Sequence, residues 1–332
     1  MSSPAHPEPA PDQAPGAPET PGAAGAPEVV VRHIPLAPTE QAAVHRLAER
    51  AEAADGVAPL SEAFLLALGD AEAVHLLVPA PGGELAAYGQ VHREAGELVV
   101  DPAYRRRGLG GAMLAGVHQA GAESVWAHGD LPGARELARH TGWPAVRLLH
   151  KMSRPLTPAD AHAGGPIPAG FRLAQFRPGD EEAWLRVNSR AFAAHPEQGR
   201  VTRADLDRLL AQPWFDPAGL LLLRDESNGA LAGSHWTKVD PDERAPGADG
   251  QPVPAGEVYV LGMDPAYHGR GLAGPLTAAG LRHLAGQGLG AVVLYVDGDN
   301  ERALRTYRKL GFTDAEVHRA YAPPVAADKM TV

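Results

Sequence analysis

Short apolar runs with period-two alternation, separated by amphipathic stretches at helical spacing, recur along the chain in a repeated order. From the first half this pattern predicts a strand over 29–34, helices over 39–54 and 61–68, and strands over 74–79, 85–92 and 97–101. A glycine-rich loop then opens a helix running to Ala120, followed by a strand over 124–128, a helix ending at Thr141 and a strand over 146–152. The second half predicts strands over 171–174, 220–224, 231–239, 258–263, 292–296 and 315–321, with helices over 181–192, 203–211, 271–287 and 301–309. Consecutive strands imply hairpins and the later strand–helix–strand units imply parallel crossovers, so the fold class is α/β (α+β) with a mixed sheet in each half. The insert 240–256 reads as a long hairpin loop.

The repetition is literal at one place. VDPAYRRRGLGG (100–111) and MDPAYHGRGLAG (263–274) match at eight of twelve positions. A period of about half the chain means two similar domains rather than a solenoid. They are assigned to 29–154 and 171–325, joined by the Pro/Gly-rich linker 155–170. Residues 1–28 contain 18 Pro, Ala or Gly and no Lys or Arg, and read as a disordered tail.

Composition narrows the function. A formal charge of −10 without a Lys/Arg run argues against nucleic acid. The absence of cysteine excludes disulfides, thiolate metal sites and an acyl-cysteine intermediate, and suits a reducing, cytoplasmic setting. No apolar stretch approaches the roughly 18 residues that span a bilayer, and the start carries no signal-peptide pattern. The 15 histidines show no HExxH, and DGDN (297–300) lacks the rest of a calcium loop, so no metal is expected.

Two chemistries compete for the glycine loop. Gly269, Gly271 and Gly274 spell GxGxxG with Asp297 beyond the next strand, which imitates a dinucleotide fingerprint. Five residues separate Met263 from Gly269, however, and only 35 residues follow Asp297, too few to complete a doubly wound sheet. A pyrophosphate cradle at a helix N-terminus fits better, because glycines let backbone N–H groups approach phosphate oxygens. Arg105, Arg106, Arg107, Gly108, Leu109 and Gly110 resemble the (R/Q)xxGx(G/A) loop of the GNAT acetyltransferase superfamily, which binds acetyl-CoA. His268, Gly269, Arg270, Gly271, Leu272 and Ala273 resemble it with His in place of the usual Arg or Gln.

The segment LYVDGDNERALRTYRKLGF (294–312) resembles the closing motif of that superfamily. The resemblance implies that Asn300 and its helix face the pantetheine arm, and that Tyr307 points at the thioester sulfur as general acid. Aligning Gly142–Trp143 with Gly311–Phe312 places Ala138 opposite Tyr307 and Leu131 opposite Asn300. Alanine cannot donate a proton, so the second domain is expected to be catalytic and the first structural or vestigial. Glu257, at the start of the strand leading to the loop, is the candidate base for an acceptor amine, whose pKa of about 8 demands little of it. A gapless offset places Glu94 opposite Glu257, so this carboxylate alone does not separate the halves.

Five further segments, DGVAPLSE (55–62), AFAAHPEQG (191–199), WFDPAGLLL (214–222), HWTKV (235–239) and GEVYVLGMDP (256–265), resemble the mycothiol synthase family in order. That resemblance implies acetyl transfer from acetyl-CoA to the cysteinyl amine of cysteinyl-glucosaminyl-inositol. It further implies acceptor contacts from Glu62, Glu197, Lys238, Glu257 and Tyr295. Acetyl-CoA would be held by Leu261, Gly262 and Met263, by the loop from His268 through Gly274, and by Asn300, Glu301, Arg302, Ala303, Leu304 and Arg305. A second cofactor would sit on Leu98, Val99 and Val100 with Arg106, Arg107, Gly108, Leu109, Gly110 and Gly111. A monomer without membrane or nucleic-acid partners is expected. The alternatives are a tandem acetyltransferase for another small amine or a peptide N-terminus, and a non-catalytic acetyl-CoA sensor.

Overall fold

A computed structural model describes residues 29–162, 166–195 and 197–324; the Pro/Ala-rich stretch 1–28 lies outside them. The first half contains β1 (Val30–Arg32), α1 (Pro38–Asp55), α2 (Glu62–Leu66), β2 (Val74–Ala80), β3 (Glu84–His92) and β4 (Ala95–Val100). It continues with α3 (Leu109–Gln119), β5 (Ser124–Ala127), α4 (Pro132–Thr141) and β6 (Ala145–Pro155). The second half contains β7 (Phe171–Gln175), α5 (Glu181–Ala191), α6 (Arg203–Leu210), β8 (Leu220–Asp225), β9 (Leu231–Lys238), β10 (Arg244–Pro246) and β11 (Pro252–Met263). It ends with α7 (Ala273–Gly286), β12 (Ala291–Asp297), α8 (Glu301–Lys309) and β13 (Thr313–Tyr321).

Alternation along the strands decides which helix covers which face. Leu77, Leu85, Tyr88 and Val99 bury against Val44, Leu47 and Ala51 of α1. Their neighbours Leu76, Val78 and Val91 bury against Met113 and Val117 of α3 on the opposite face. The second half repeats the division: Leu220, Leu222 and Trp236 pack on α5, whereas Leu221, Leu223 and Ala232 pack on α7.

All thirteen strands join one mixed sheet in the order β1-β2-β3-β4-β5-β13-β6-β12-β11-β9-β8-β7, with β10 paired to β11 off this path. The sequence reading gives each half its own sheet. Instead β6 lies between β12 and β13, and β13 lies between β5 and β6, so each half ends in a strand that completes the other. Periodicity identifies strands but not their partners, which is why the exchange was invisible in the sequence. Met152 of β6 is fully buried among Val292, Leu294, Leu304 and Phe312, so a residue of the first half forms the core of the second.

The two parallel pairs are β4–β5 and β11–β12. The β11–β12 ladder stops at Val258↔Leu294 although β11 runs on to Met263 and β12 to Asp297. The β4–β5 ladder likewise stops at Glu97↔Trp126. Each pair therefore opens toward its glycine loop.

The insert differs from the loop expected of it. β10 folds back on β11, which begins at Pro252, six residues ahead of the predicted start. Pro252 and Pro254 read as breakers in the sequence, yet this part of β11 pairs with β10 alone, an edge position where proline is tolerated.

Met152→Ala should destabilise the whole chain by about 2–5 kcal/mol, because the vacated volume lies in a packed core. Urea unfolding followed by Trp fluorescence and by far-ultraviolet circular dichroism should shift together. Loss confined to one half would contradict a shared core.

Candidate active site

The two glycine loops are built alike. Asp101 accepts a hydrogen bond from the Ala103 N–H and Asp264 from the Ala266 N–H, both at 2.9 Å, fixing the DPAY turn. Arg50 holds Asp101 at 2.7 Å and Arg190 holds Asp264 at 3.1 Å. Leu109 and Leu272 bury in the core and pin each loop to the sheet, leaving His268, Gly269, Arg270, Gly271, Ala273 and Gly274 exposed. A Cβ added at Gly108, Gly111, Gly269, Gly271 or Gly274 would meet nothing within 4 Å, and Gly108, Gly269 and Gly271 have φ of +84°, +76° and +72°. The open backbone and the free N–H groups of the first turns of α3 and α7 suit a pyrophosphate. In the first loop Arg105 is committed to Asp55 (2.7 and 2.6 Å) and Arg107 donates to the Ala103 carbonyl. Arg106 is exposed. Leu98, Val99 and Val100 lie at the open end of the β4–β5 pair, as Leu261, Gly262 and Met263 do at that of β11–β12.

At the closed end of the β11–β12 gap the chain gathers a charged cluster. Glu257 of β11 pairs in register with Lys238 of β9 and Val293 of β12. Lys238 Nζ donates to Glu62 Oε1 at 2.7 Å, although Glu62 belongs to the first half. Trp214 Nε1 donates to the same oxygen at 2.9 Å and the Tyr259 hydroxyl to Oε2 at 3.1 Å. The Lys238 ammonium lies 4.9 Å from the Trp214 ring centre and 5.4 Å from that of Tyr259, a cation–π enclosure. Burial pushes the Glu257 carboxyl up to about 7; Lys238 opposes the shift and Glu62 adds to it. Burial, with Glu62 and Glu257, also raises the Tyr259 phenol, which stays protonated and donates.

A buried chain fixes the helix that carries Glu62. Glu97 accepts from the Ser61 N–H at 2.7 Å and pairs with His128 Nε2 at 3.0 Å. His128 Nδ1 meets His318 Nδ1 at 3.2 Å, and the Gly129 N–H donates to that same His318 nitrogen. His318 is thus the acceptor and His128 donates from both nitrogens, as an imidazolium. Burial disfavours that charge, but Glu97 outweighs it and raises His128, whereas burial and His128 hold His318 down at about 3.

The other predicted residues occupy distinct places. Tyr295 shares a cross-strand row with Lys151 of β6, whose ammonium lies 5.8 Å from its ring centre. Glu197 is bonded to Arg147 at 2.9 Å, and Arg147 reaches Asp297 at 3.0 Å, which places Glu197 beside the end of β12 rather than in the Glu62 cluster. Asn300 caps α8 by accepting from the Ala303 N–H; Leu304 buries in the core, Arg305 pairs with Glu301, and Arg302 is exposed. Tyr307 is half-buried against Phe312, and burial raises its phenol. Its counterpart Ala138 is buried. Glu94, aligned with Glu257 by the gapless offset, instead sits in the β3–β4 turn with φ +70°, facing Arg200. The gapless alignment slips here by one residue: β11 has a bulge between Val258 and Val260 that β4 lacks, so Glu257 opposite Lys238 corresponds to Ala95 opposite His92.

These features have known counterparts. Residues 183–312 match the acetyltransferase (GNAT) family model. A mycothiol acetyltransferase of Thermobispora bispora is 51% identical over 285 residues, covering 83% of this chain and 93% of that protein. The chain belongs to the mycothiol acetyltransferase family. A second member, from Sanguibacter keddieii, is 48% identical over 316 residues, covering 90% and 97% of the two chains. Among solved structures, a tandem GNAT protein from the clavulanic acid pathway superposes with a TM-score of 0.62 at 17% identity, over 89% of this chain and 98% of that one. The fold is therefore the tandem GNAT arrangement, and the chain is an acetyl-CoA-dependent N-acetyltransferase.

Sequence reasoning missed Trp214, Tyr259, Glu97, His128 and His318 as parts of the site. Tyr259 carried a signal, since it lies two residues beyond Glu257 on the same strand face. Glu97 and His128 carried none, because their partners come from 30 or more residues away.

Lys238→Met should raise the Glu257 carboxyl further, since its ammonium is the leading influence holding it down. A base must be ionised, so the acid limb of kcat/KM against pH, expected near 7 in the native enzyme, should move about one pH unit higher. An unmoved limb would remove Glu257 from the base role.

Proposed function

We propose that this chain moves the acetyl group of acetyl-CoA directly to the cysteinyl amine of cysteinyl-glucosaminyl-inositol, completing mycothiol. The observation that carries the reading is the Glu62–Lys238–Glu257 cluster, assembled from both halves at the gap between β11 and β12. A thioester supplies an acyl carbon with a good leaving group. Glu257 takes the proton of the acceptor ammonium, and its affinity near 7 matches an α-amine that is itself partly neutral at that pH. Glu62 and Lys238 orient the amine end, with Tyr295 further along the same strand face.

Tyr307 approaches from the other side of the sheet. It packs with Leu281, Leu284 and Leu294, on the face opposite Val293 and Glu257. An acyl group lodged in the open strand pair then has a base on one face and an acid on the other. The amine nitrogen bonds to the carbonyl carbon, the carbon–sulfur bond breaks, and Tyr307 gives its proton to the sulfur. Leu261, Gly262 and Met263, the His268–Gly274 loop and the Asn300 end of α8 hold the cofactor, and Glu197 meets the acceptor from the β12 end. The Arg106–Gly111 loop holds a second acetyl-CoA without turnover, since Ala138 has no proton to give. We further assign 29–154 and 171–325 as the two domains, the cytoplasm as the setting and the monomer as the working form.

Coenzyme A release should be fastest with cysteinyl-glucosaminyl-inositol among a panel of amines and peptide N-termini, and Tyr307→Phe should lower kcat about 100-fold. Equal rates across the panel would reject the acceptor. Cofactor binding without release for any acceptor would mark a sensor instead.

A further inference from the structure

The two halves differ most at the hairpin ahead of the strand that leads to the glycine loop. In the first half Arg93 and Glu94 alone join β3 to β4, both with positive φ, a tight two-residue turn. In the second half residues 239–251 intervene between β9 and β11, and β10 folds back beside β6 and β12. Glu243, just ahead of β10, receives a hydrogen bond from Lys151 Nζ at 3.1 Å. Lys151 stands between Tyr295 of β12 and Glu316 of β13 in one cross-strand row, and its ammonium is 3.4 Å from Glu316. Only 13% of the Lys151 side chain is exposed, whereas Tyr295 keeps 40% of its surface open.

Between β10 and this row lies a cavity of about 450 Å³, walled by Lys151, Ser153, Arg244, Thr313 and Glu316. Val293 also lines it, and Val293 is the register partner of Glu257, so the cavity begins one strand away from the candidate base. With Arg154 and Asp314, which also line it, its walls offer one ammonium, two guanidiniums, two hydroxyls and two carboxylates. Two of the three cations are already paired, Lys151 with Glu243 and Glu316 and Arg154 with Asp160, so the walls present donors beside acceptors rather than an open anion site. Tyr295 lies outside the lining but next to Lys151 in the cross-strand row, on the way from Glu257 to the cavity.

We propose that the cavity under the 244–247 hairpin is a specificity subsite for an uncharged, hydroxyl-rich ring at the far end of the acceptor, read by Lys151 and Glu316, with Glu243 holding Lys151 in place from outside the cavity. The proposal rests on the acceptor being an aminoacylated sugar–polyol. It accounts for the insert in the half assigned catalysis: a tight turn leaves no roof, and the hairpin supplies one.

The test uses the full chain and N-acetylglucosaminyl-inositol, which keeps the polyol and an amide but has no amine to acetylate. Calorimetric titration should show binding to the native protein, weakened about tenfold by Glu316→Gln and by Lys151→Met, with melting temperatures of the variants reported alongside. Glu316→Gln is nearly isosteric and guards against a folding defect in Lys151→Met. In parallel, KM for cysteinyl-glucosaminyl-inositol should rise about tenfold in Glu316→Gln with kcat within about twofold, while KM for cysteinyl-glucosamine, which lacks the inositol, stays unchanged. Equal affinity of native and variant proteins for the probe, no binding to the native protein, or equal KM changes for both acceptors would overturn the subsite. Failure of the functional reading has a different signature: the native enzyme would then show no preference for the mycothiol precursor in coenzyme A release, whatever the probe does.

Discussion

The exchange of terminal strands between the halves is the constraint on which the site depends. β6 bonds to β12 and β13 through long antiparallel ladders, and β13 bonds to β5 and β6. Separating the halves would expose unpaired strand edges and uncover Met152, costs that a flexible linker between free-standing domains does not carry. The exchange fixes the orientation of one half against the other at the level of backbone hydrogen bonds. A carboxylate from one half can then serve chemistry in the other, because reacting groups tolerate misplacement of well under an ångström.

Glu62 shows how that rigidity reaches a side chain. α2 is only five residues long and could not hold a position alone. Its preceding residue is tied to Glu97, and Glu97 to His128 and then to His318 on the exchanged strand β13. Burying a carboxylate and an imidazolium is costly unless both are paired, and here each finds its partners. At the other end of Glu62, Trp214, Tyr259 and Lys238 satisfy its oxygens. The carboxylate is held from both halves at once, and its charge in turn helps raise Glu257.

Much of this was legible in the sequence, for local reasons. The DPAY turns, the Gly108 and Gly271 loops and the helices they open follow from residues adjacent in the chain, and their duplication announced the tandem architecture. The alternating strands were found nearly to their ends, except where Pro252 and Pro254 disguised the start of β11. Glu62 meeting Lys238 and Glu257 was implied by resemblance, not by spacing. What stayed hidden is non-local: the order of β6 and β13 in the sheet, the histidine pair that crosses between halves, and the ring of donors around Glu62. Side-chain periodicity records which face is buried, not which strand lies alongside.

The divergence of the two halves then has a physical basis in two places. At α4, Ala138 sits buried at the position that α8 gives to Tyr307, although the glycine loops of the two halves are built alike. At the hairpin, Glu94 is turned outward by a left-handed two-residue turn and faces Arg200, exposed to solvent. Glu257 lies instead within a strand, and burial raises it. Two carboxylates at the same offset thus sit in different surroundings, one in an exposed turn and the other inside a strand that the insert extends, although their places relative to the glycine loops match. The first half therefore keeps the glycine loop but carries alanine where the second has Tyr307, an exposed turn carboxylate where the second has Glu257, and a two-residue turn in place of the insert.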